Sequence, residues 1–380
     1  MNAQLDVVEA RTSAGIRGFV PGDIPQVARL HARVWPNPGC TLDMYEDYFH
    51  RVFVDNPAAD ESLPSLVSED ERGRIVAFIG VVPRRVVLGQ RAYLAALSSQ
   101  FIVEPEGPAA FVAIRILRAY FDGPQDVSIA DEATDAARRL WMGLGGTTAQ
   151  FLSMYWTRVL RPARYATSLF RARRRWAWLA RVAAPCAVAA DAVAARLPGT
   201  PFGQSSDPVP VDTLTTATVT NHYDEFCDPS GLTVRHDERS FQWLLERTAR
   251  VSVNREPISG VVTRSGQMRG WYVAALDAGG HCDLVHLAAD RTSHRVVLDH
   301  LFHHARTRGA LAVTGRIDPP FMEALSDSGC LFHRRGPWLL VRTPRPEILH
   351  AFESGHACFA RIDGEWALRL SASRARGAVA

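Results

Sequence analysis

The sequence predicts an α/β protein with mixed sheets (α+β in its strand pairing), built as two similar lobes over residues 14–165 and 208–370 and joined by a helical linker over 166–207. Three observations predict it. Residues 93–146 run strand, short polar loop, helix, strand, helix and double glycine. The same order returns in the second half with different letters. Between the halves lies a stretch rich in arginine and alanine, closed by the Pro/Gly/Ser-rich segment PGTPFGQSSDPVPV. At 380 residues, with 47% hydrophobic and 22% charged side chains, the chain is long for one domain and ordinary for two.

Each element follows in order. IRGFVPGDIPQVARLHARVW reads as a strand and a helix, with Pro21-Gly22-Asp23 as turn and cap. SLVSEDERGRIVAFIGVVPRRVVLGQRAYLAALSSQFIV reads as antiparallel strands punctuated at Glu71-Arg72-Gly73 and Leu88-Gly89-Gln90. The last of them ends at Val103-Glu104-Pro105, and the loop Gly107-Pro108-Ala109-Ala110 opens the helix FVAIRILRAYF. The strand DVSIA and the helix TDAARRLWMGL follow, stopping at Gly145-Gly146, and AQFLSMYWTRVLRP closes the lobe as a strand. In the linker, Arg171, Arg173, Arg174 and Arg175 precede WAWLARVAAPCAVAADAVAARLP, helical in propensity with a break at Pro185. Arg181 and Asp191 interrupt its apolar run, so no clean membrane span results. A helix pair bridging the lobes is the expected form. A basic interfacial helix making peripheral membrane contact through 171–197 is the alternative.

In the second half, FQWLLERTAR is an amphipathic helix. Three strands follow, with turns at Ser265-Gly266 and Gly279-Gly280. RTSHRVVLDHLFHHARTRG is a helix opened by Thr292 or Ser293 and closed by Gly309. Then come the strand ALAVTGRI, the helix PPFMEALSDSG, the closing hairpin CLFHRRGPWLLVR and a last strand at GEWAL.

Composition narrows the chemistry. All 43 basic side chains are arginine, which excludes a lysine Schiff base and a P-loop lysine. A net charge of +3 argues against nucleic acid as a partner. Six cysteines without CxxC spacing suggest neither a zinc cluster nor a disulfide framework, and buried free thiols point to a reducing cytoplasm. The opening MNAQLDVVEARTS has no apolar signal core, which fits a cytoplasmic location. His300 and His304 share a helix face as a candidate metal pair, but no carboxylate stands at H-E-x-x-H spacing, so a half-buried helix face is preferred and no metal is expected.

A strand that hands its backbone to a helix N-terminus makes an anion site, where unpaired N–H groups and the helix dipole converge. With the strand end V-x-P at 103–105, and with Thr134, Ala137, Leu140, Trp141, Gly145 and Gly146 in the places of N-x-x-A-x-x-L-Y-x-x-x-G-F, residues 14–165 resemble the GCN5-related N-acetyltransferase (GNAT) family. The second half resembles a degenerate copy of the same lobe, whose loop at 290–294 has no glycine, although Arg291 and Arg295 beside a helix start could hold an anion. The resemblance implies acyl transfer from acetyl-CoA or another acyl-CoA to a small amine, such as an amino sugar or a cell-envelope precursor. It assigns the thioester arm to the backbone of Phe101, Ile102 and Val103. The diphosphate falls to Gly107, Ala109, Ala110 and Phe111, and the signature helix contributes Thr134, Ala137 and Trp141.

Departures accompany it: Pro108, Ala109, Phe111 and Ala113 stand where arginine and glycines belong, and Trp141 replaces a tyrosine whose hydroxyl often protonates the leaving thiolate. Tyr155 and Tyr45 are substitutes for that acid. Asp131 and Glu132, at the C-terminal end of their strand, are the candidate bases, with Glu104 second. The alternative role of the first two is to complement the dipole of the following helix. Ser98 and Ser99 are donors or a polar strand edge. Arg138 and Arg139 reach a CoA phosphate or pair with Asp135 or Glu132. Two other readings stay open: a catalytically silent GNAT-fold binding module, and a Fem-like aminoacyl transferase, which would bind tRNA in a steeply salt-dependent way.

Overall fold

The computed structural model describes residues 15–172, 177–196, 212–226, 231–251 and 255–370. Two mixed sheets organise them, and each takes strands from the other half of the sequence. The first sheet holds β1 (Ile16–Gly18), β2 (Leu66–Glu69), β3 (Ile75–Leu88), β4 (Arg91–Val103), β5 (Val127–Ala133) and β6 (Thr147–Thr148). The second holds β7 (Tyr155–Val159), β9 (Arg255–Arg264), β10 (Gln267–Asp277), β11 (His281–Ala289), β12 (Ala312–Arg316) and β13 (Leu331–His333). From the second half of the chain, β8 (Leu232–Arg235), β14 (Trp338–Arg342) and β15 (Ala357–Cys358) join the first sheet. Its main path is β1-β2-β3-β4-β5-β14-β6, with β8 on the far end of β3; the second runs β13-β7-β12-β11-β10-β9.

This exchange corrects the expected hairpin at 330–342. β13 and β14 part company, one pairing β7 and the other slotting between β5 and β6. The physical reason lies in WLLVR. Leu339 and Val341 fill the core on one face of the first sheet while Leu340 fills the core on the other, so this strand needs neighbours and cover on both sides. β7, expected to close the first lobe, pairs instead with β12 and β13. The sheets therefore do not divide along the chain at the boundary expected between 165 and 208. Trp338, at the crossing point, is held between the guanidinium groups of Arg138 (3.9 Å) and Arg334 (3.2 Å), and its indole N–H donates to Asp135 (2.6 Å).

Helices cover both faces of the first sheet. On one side lie α1 (Ile24–Val34) and α2 (Leu42–Phe53), whose Leu30, Tyr48, Phe49 and Val52 pack with Phe78 and Val82. On the other lie α3 (Ala109–Phe121) and α4 (Asp135–Gly143). The apolar positions Val112, Ile116, Leu117, Tyr120 and Phe121 recur at helical spacing and give α3 its buried stripe. The Thr134 hydroxyl accepts from Ala137 N (3.2 Å) and caps α4.

The helix pair expected to bridge the lobes is a hairpin of α5 (Pro162–Ala172) and α6 (Ala177–Ala194), rooted on the second lobe. Arg306 donates to Leu160 O (2.8 Å), and Arg161 donates to Arg306 O (2.9 Å). Asp191, which the sequence placed as an interruption, is buried and accepts from Ala163 N (2.8 Å) and Arg164 Nε (3.1 Å), closing the start of α5. Residues 173–176 and 197–207 of the linker lie outside the described residues.

Around the second sheet, α7 (Thr216–Phe226) and α8 (Glu238–Val251) lie on one face and α9 (His294–Thr307) and α10 (Met322–Asp327) on the other, while α11 (Pro346–Ser354) returns to the first sheet's core. GEWAL, expected as a last strand, is a single 3₁₀ turn over Glu365–Leu368.

Candidate active site

β4 and β5 run parallel in register from Ala95/Val127 to Ser98/Ala130 and then separate. The cause is a bulge. Opposite Phe78 and Gly80 of β3, β4 carries an extra residue at Gln100-Phe101, and Gln100 takes φ 54°. Gly80 is required there, because a Cβ would lie 2.2 Å from the Phe53 ring and 2.8 Å from Ser99 O. Across the gap Glu132 also sits at φ 59°. Two non-glycine residues in the left-handed region, facing each other across a cleft, are the kind of backbone strain that clusters at working sites.

Between the separated strands lies a cavity of about 480 Å³. Its bed is apolar: Phe101, Ala130, Ala133, Ala137, Leu140 and Trp141, with Trp35 at the rim. Its polar groups are Ser98, Ser99, Gln100, Glu132 and Thr134, together with Glu365 and Arg369 from the end of the chain.

The chain end shapes both lobes. In the second lobe β11 and β12 pair in parallel from His281/Ala312 to Asp283/Thr314 and then part, as β4 and β5 do. That gap is filled by Phe359, Ala360 and Arg361, leaving only about 40 Å³, and Ile362 N donates to Val285 O (3.1 Å). The segment then crosses to the first lobe. Gly364 passes so close to Asp131 that a Cβ would stand 1.8 Å from its Oδ2. The 3₁₀ turn follows, anchored by Tyr48, whose hydroxyl donates to Leu368 O (2.7 Å).

This path carries Glu365 into the cleft, where its Oε1 accepts from Gln100 N (3.2 Å). Burial, reinforced by the nearby charge of Asp131, pushes the Glu365 carboxyl up to about 8. The Gln100 side-chain oxygen in turn meets His31 Nε2 (2.8 Å), a buried imidazole whose pKa burial lowers. Arg369 stands on the opposite wall, paired with Glu132.

The expected bases fall elsewhere or are occupied. Asp131 does not line the cavity; it is fully buried in an ion pair with Arg316 of β12, and its Oδ1 also accepts from Glu132 N (2.9 Å). Burial opposes the charge of Arg316, but Asp131 outweighs it and holds the guanidinium protonated. Glu132 does line the cavity. Burial would raise its carboxyl, but Arg361 and Arg369 outweigh burial and hold it below its ordinary range, which makes it a poor proton acceptor. Glu104 pairs with Arg33 and lies in a separate groove at the start of α3.

The expected cofactor residues divide in the same way. Phe101, Thr134, Ala137 and Trp141 line the cavity. Val103, Gly107 and Ala109 line the separate groove, whose charged walls are Asp70, Glu71, Glu104 and Glu106 with Arg72 and Arg74, a mixed setting in which acids outnumber arginines. Ile102 points into the core on the α1–α2 side. Ala110 and Phe111 lie on α3 outside both hollows, and the Phe111 ring packs with Arg115 (5.6 Å) rather than plugging the cleft. At the mouth of α3, Ala109 N donates to Gly107 O (2.9 Å), and Phe111 N and Val112 N both donate to Pro108 O (3.0 and 3.1 Å). Of the first three amides, Ala109 N and Phe111 N are engaged within the chain, against the expectation of open donors.

The other candidates have the following neighbours. Trp141 forms the cavity bed, edge-on to Phe121 (4.8 Å). Tyr155 is buried beside Arg316 and Arg361, and Tyr45 OH accepts from Asn37 N (3.0 Å) in the first core. Ser98 donates to Ile129 O (3.2 Å) as part of the strand edge. Arg138 donates to Thr148 Oγ1 (3.0 Å). Arg295 pairs with Asp299 on its own helix. His300 and His304 both turn Nδ1 to the Tyr272 hydroxyl (3.0 and 2.8 Å), and no group of residues that could hold a metal occurs among the described residues. Cys40, Cys186, Cys282, Cys330 and Cys358 are free thiols, while Cys227 lies outside the described residues.

The groups the sequence reading missed are Glu365, Gln100, Arg369 and Trp35. One signal was available: Glu365 stands directly before the apolar residues Trp366, Ala367 and Leu368.

No protein-family model and no curated sequence matches the chain. Solved structures do match. A conserved protein from Enterococcus faecalis, described as a probable N-acyltransferase, aligns at TM-score 0.57 and 9% identity over 90% of this chain and 74% of that one. A GCN5-related N-acetyltransferase from Anabaena variabilis aligns at 0.56 and 11% over 89% and 75%, and another from Kribbella flavida at 0.50 and 13% over 90% and 73%. At these identities the likeness speaks for the fold. With the splayed β4–β5 pair, the bulge at Gln100 and a second lobe of the same strand order, the chain has the fold of the GCN5-related N-acetyltransferases in a tandem, two-lobe form with degenerate motifs.

Proposed function

We propose that the protein is an acyl-CoA-dependent N-acyltransferase that uses the β4–β5 cleft of its first lobe, with a small amine as acceptor. The observation that carries this reading is Glu365: a carboxyl group in the cleft, beside the strand bulge, with a pKa raised to about 8. A group that titrates near neutrality is suited to taking a proton from an amine as it attacks.

The cleft fits the thioester arm of acyl-CoA. Its bed is apolar, with Ala130, Ala133 and Ala137, and it is edged by the bulged strand at Gln100-Phe101, where an arm could lie as an added strand. Acyl-CoA would supply the activated carbonyl. The protein's own residues would do three things. Gln100 and Phe101 would position that carbonyl at the bulge. Glu365, held by Gln100 N and seated through Gly364 against Asp131, would receive the proton of the amine. Trp35 and Leu140 would exclude water from the bed. Because the Trp141 indole is not an acid at neutral pH, the leaving thiolate would take its proton from solvent or from Glu365 on the way out.

The diphosphate end does not follow the family pattern, since Ala109 N and Phe111 N are engaged and acids outnumber arginines in the neighbouring groove. That observation favours the second reading, a fold kept for binding without turnover. A thiol-release assay decides between them. With acetyl-CoA and a panel of amino sugars, amino acids and simple primary amines, CoA thiol should appear with at least one acceptor. Silence across the panel together with no thermal shift from acetyl-CoA would leave only the binding module.

A further inference from the structure

We propose that the α5–α6 hairpin docks the protein on an anionic lipid surface. This inference is independent of the catalytic reading. Between Pro162 and Ala194, the span of the hairpin, the chain has six arginines (164, 171, 173, 174, 175 and 181) and one acidic residue, Asp191. With 43 basic and 40 acidic side chains in all, the rest of the protein is net negative without them. The hairpin is therefore net basic on a remainder that is slightly net acidic, the asymmetry expected of a segment that meets an anionic surface.

The same element exposes apolar side chains. Leu169 and Phe170, at the end of α5 where the arginine run begins, are 51% and 47% exposed, and Val188 and Val193 of α6 are 52% and 59% exposed. Between Pro185 and Arg196, α6 buries Ala187 and Asp191, while Cys186, Ala189, Ala190 and Ala192 are exposed along with the two valines. A surface helix of a soluble lobe would carry polar side chains there. Arg164 is engaged with Asp191, and the other five arginines of the stretch enter as charge in the sequence. Residues 173–176 and the side chains of 171–184 lie outside the described residues; the exposed apolar positions are those up to Phe170 and from Pro185 onward.

Three partners have to be weighed. Nucleic acid would match the charge but would leave Leu169, Phe170 and the valines without apolar cover. A second copy of the chain would cover the apolar surface but would bring two basic stretches together. An anionic bilayer surface answers both: arginine heads at the phosphates, and aliphatic and aromatic side chains at the acyl boundary. No helix among the described residues is long and apolar enough to cross a membrane, so the hairpin would lie at the surface.

The test is co-sedimentation of the full chain with vesicles of phosphatidylcholine alone and of phosphatidylcholine mixed with phosphatidylglycerol. Pelleting should occur with the mixed vesicles only and should weaken as salt is raised. The double substitution Leu169→Ser/Phe170→Ser should lower partitioning about tenfold or more, through loss of buried apolar area. Because both side chains are exposed, the variant should keep the parent Tm. Arg171→Gln/Arg181→Gln should weaken binding to mixed vesicles about 25-fold and leave phosphatidylcholine unaffected. No pelleting with mixed vesicles, or equal pelleting of parent and both variants, overturns the proposal. So does a concentration-dependent dimer that both variants dissolve, or retention on single-stranded DNA that the arginine variant alone removes.

Discussion

Glu365→Gln should lower turnover by about 100-fold or more while changing acetyl-CoA affinity little, because general-base assistance contributes about 10²–10⁴. The side chain keeps its size and its contact with Gln100 N but cannot accept a proton. The pH dependence makes the claim specific. In the parent protein kcat/KM should rise with pH and level off above about 8, where the carboxylate forms, and this limb should vanish in the variant.

A second consequence needs no substrate. The folded protein holds a proton on Glu365 up to about pH 8, whereas an unfolded chain releases it near the ordinary value of 4.5. The stabilising contribution is complete below that ordinary value and is lost as pH rises through the folded one, at about 1.4 kcal/mol per pH unit between them. Thermal unfolding of the parent should therefore lose stability from pH 5 to pH 8 relative to Glu365→Gln. Parallel stability curves for the two proteins would show that Glu365 is not a buried neutral acid.

Asp131→Ala should cost about 3–5 kcal/mol, the usual effect of removing one partner of a buried ion pair, since Arg316 would be left charged in a dry setting. The pair joins β5 of the first sheet to β12 of the second, and the Asp131 carboxylate also backs Gly364. Loss of stability should thus come with disorder of the Glu365 turn and with lower turnover. The double change Asp131→Leu/Arg316→Met should recover much of the stability, because apolar replacement of a buried pair is often tolerated. It should not recover turnover, since the seat of Gly364 would be altered. If Asp131→Ala leaves the melting temperature unchanged and abolishes only turnover, Asp131 acts chemically and its structural assignment fails.

Much of the fold was legible because it is local. Helical spacing of Val112, Ile116 and Tyr120, the cap at Thr134, and turns at Gly73 and Gly89 are decided by neighbours within a few residues. The order strand, helix, strand, helix marked both lobes for the same reason. What was illegible is long-range. Nothing in CLFHRRGPWLLVR says that its two strands enter different sheets, because the hairpin and the exchange satisfy the same alternation of apolar residues.

The site divided along the same line. The cleft walls at Phe101, Thr134, Ala137 and Trp141 follow from the strand–helix order of one lobe. Asp131 and Glu132 stand at a strand end, where ligands are commonly held, yet arginines brought from β12 and from the chain end pair with both. Glu365 enters from more than 230 residues away in sequence, along a path fixed by contacts in the second lobe. The second lobe's cleft, occupied by Phe359 and Arg361, shows what that lobe contributes: it guides the segment that completes the first.

The account's central claim is that one cleft, between β4 and β5, receives the thioester arm. Calorimetric titration with acetyl-CoA, on the parent protein and on Ala137→Trp, tests it most directly, because the new indole would fill the cavity bed. One equivalent should bind to the parent, and none measurably to a variant that retains its melting temperature. Two equivalents, or equal binding by parent and variant, would contradict it.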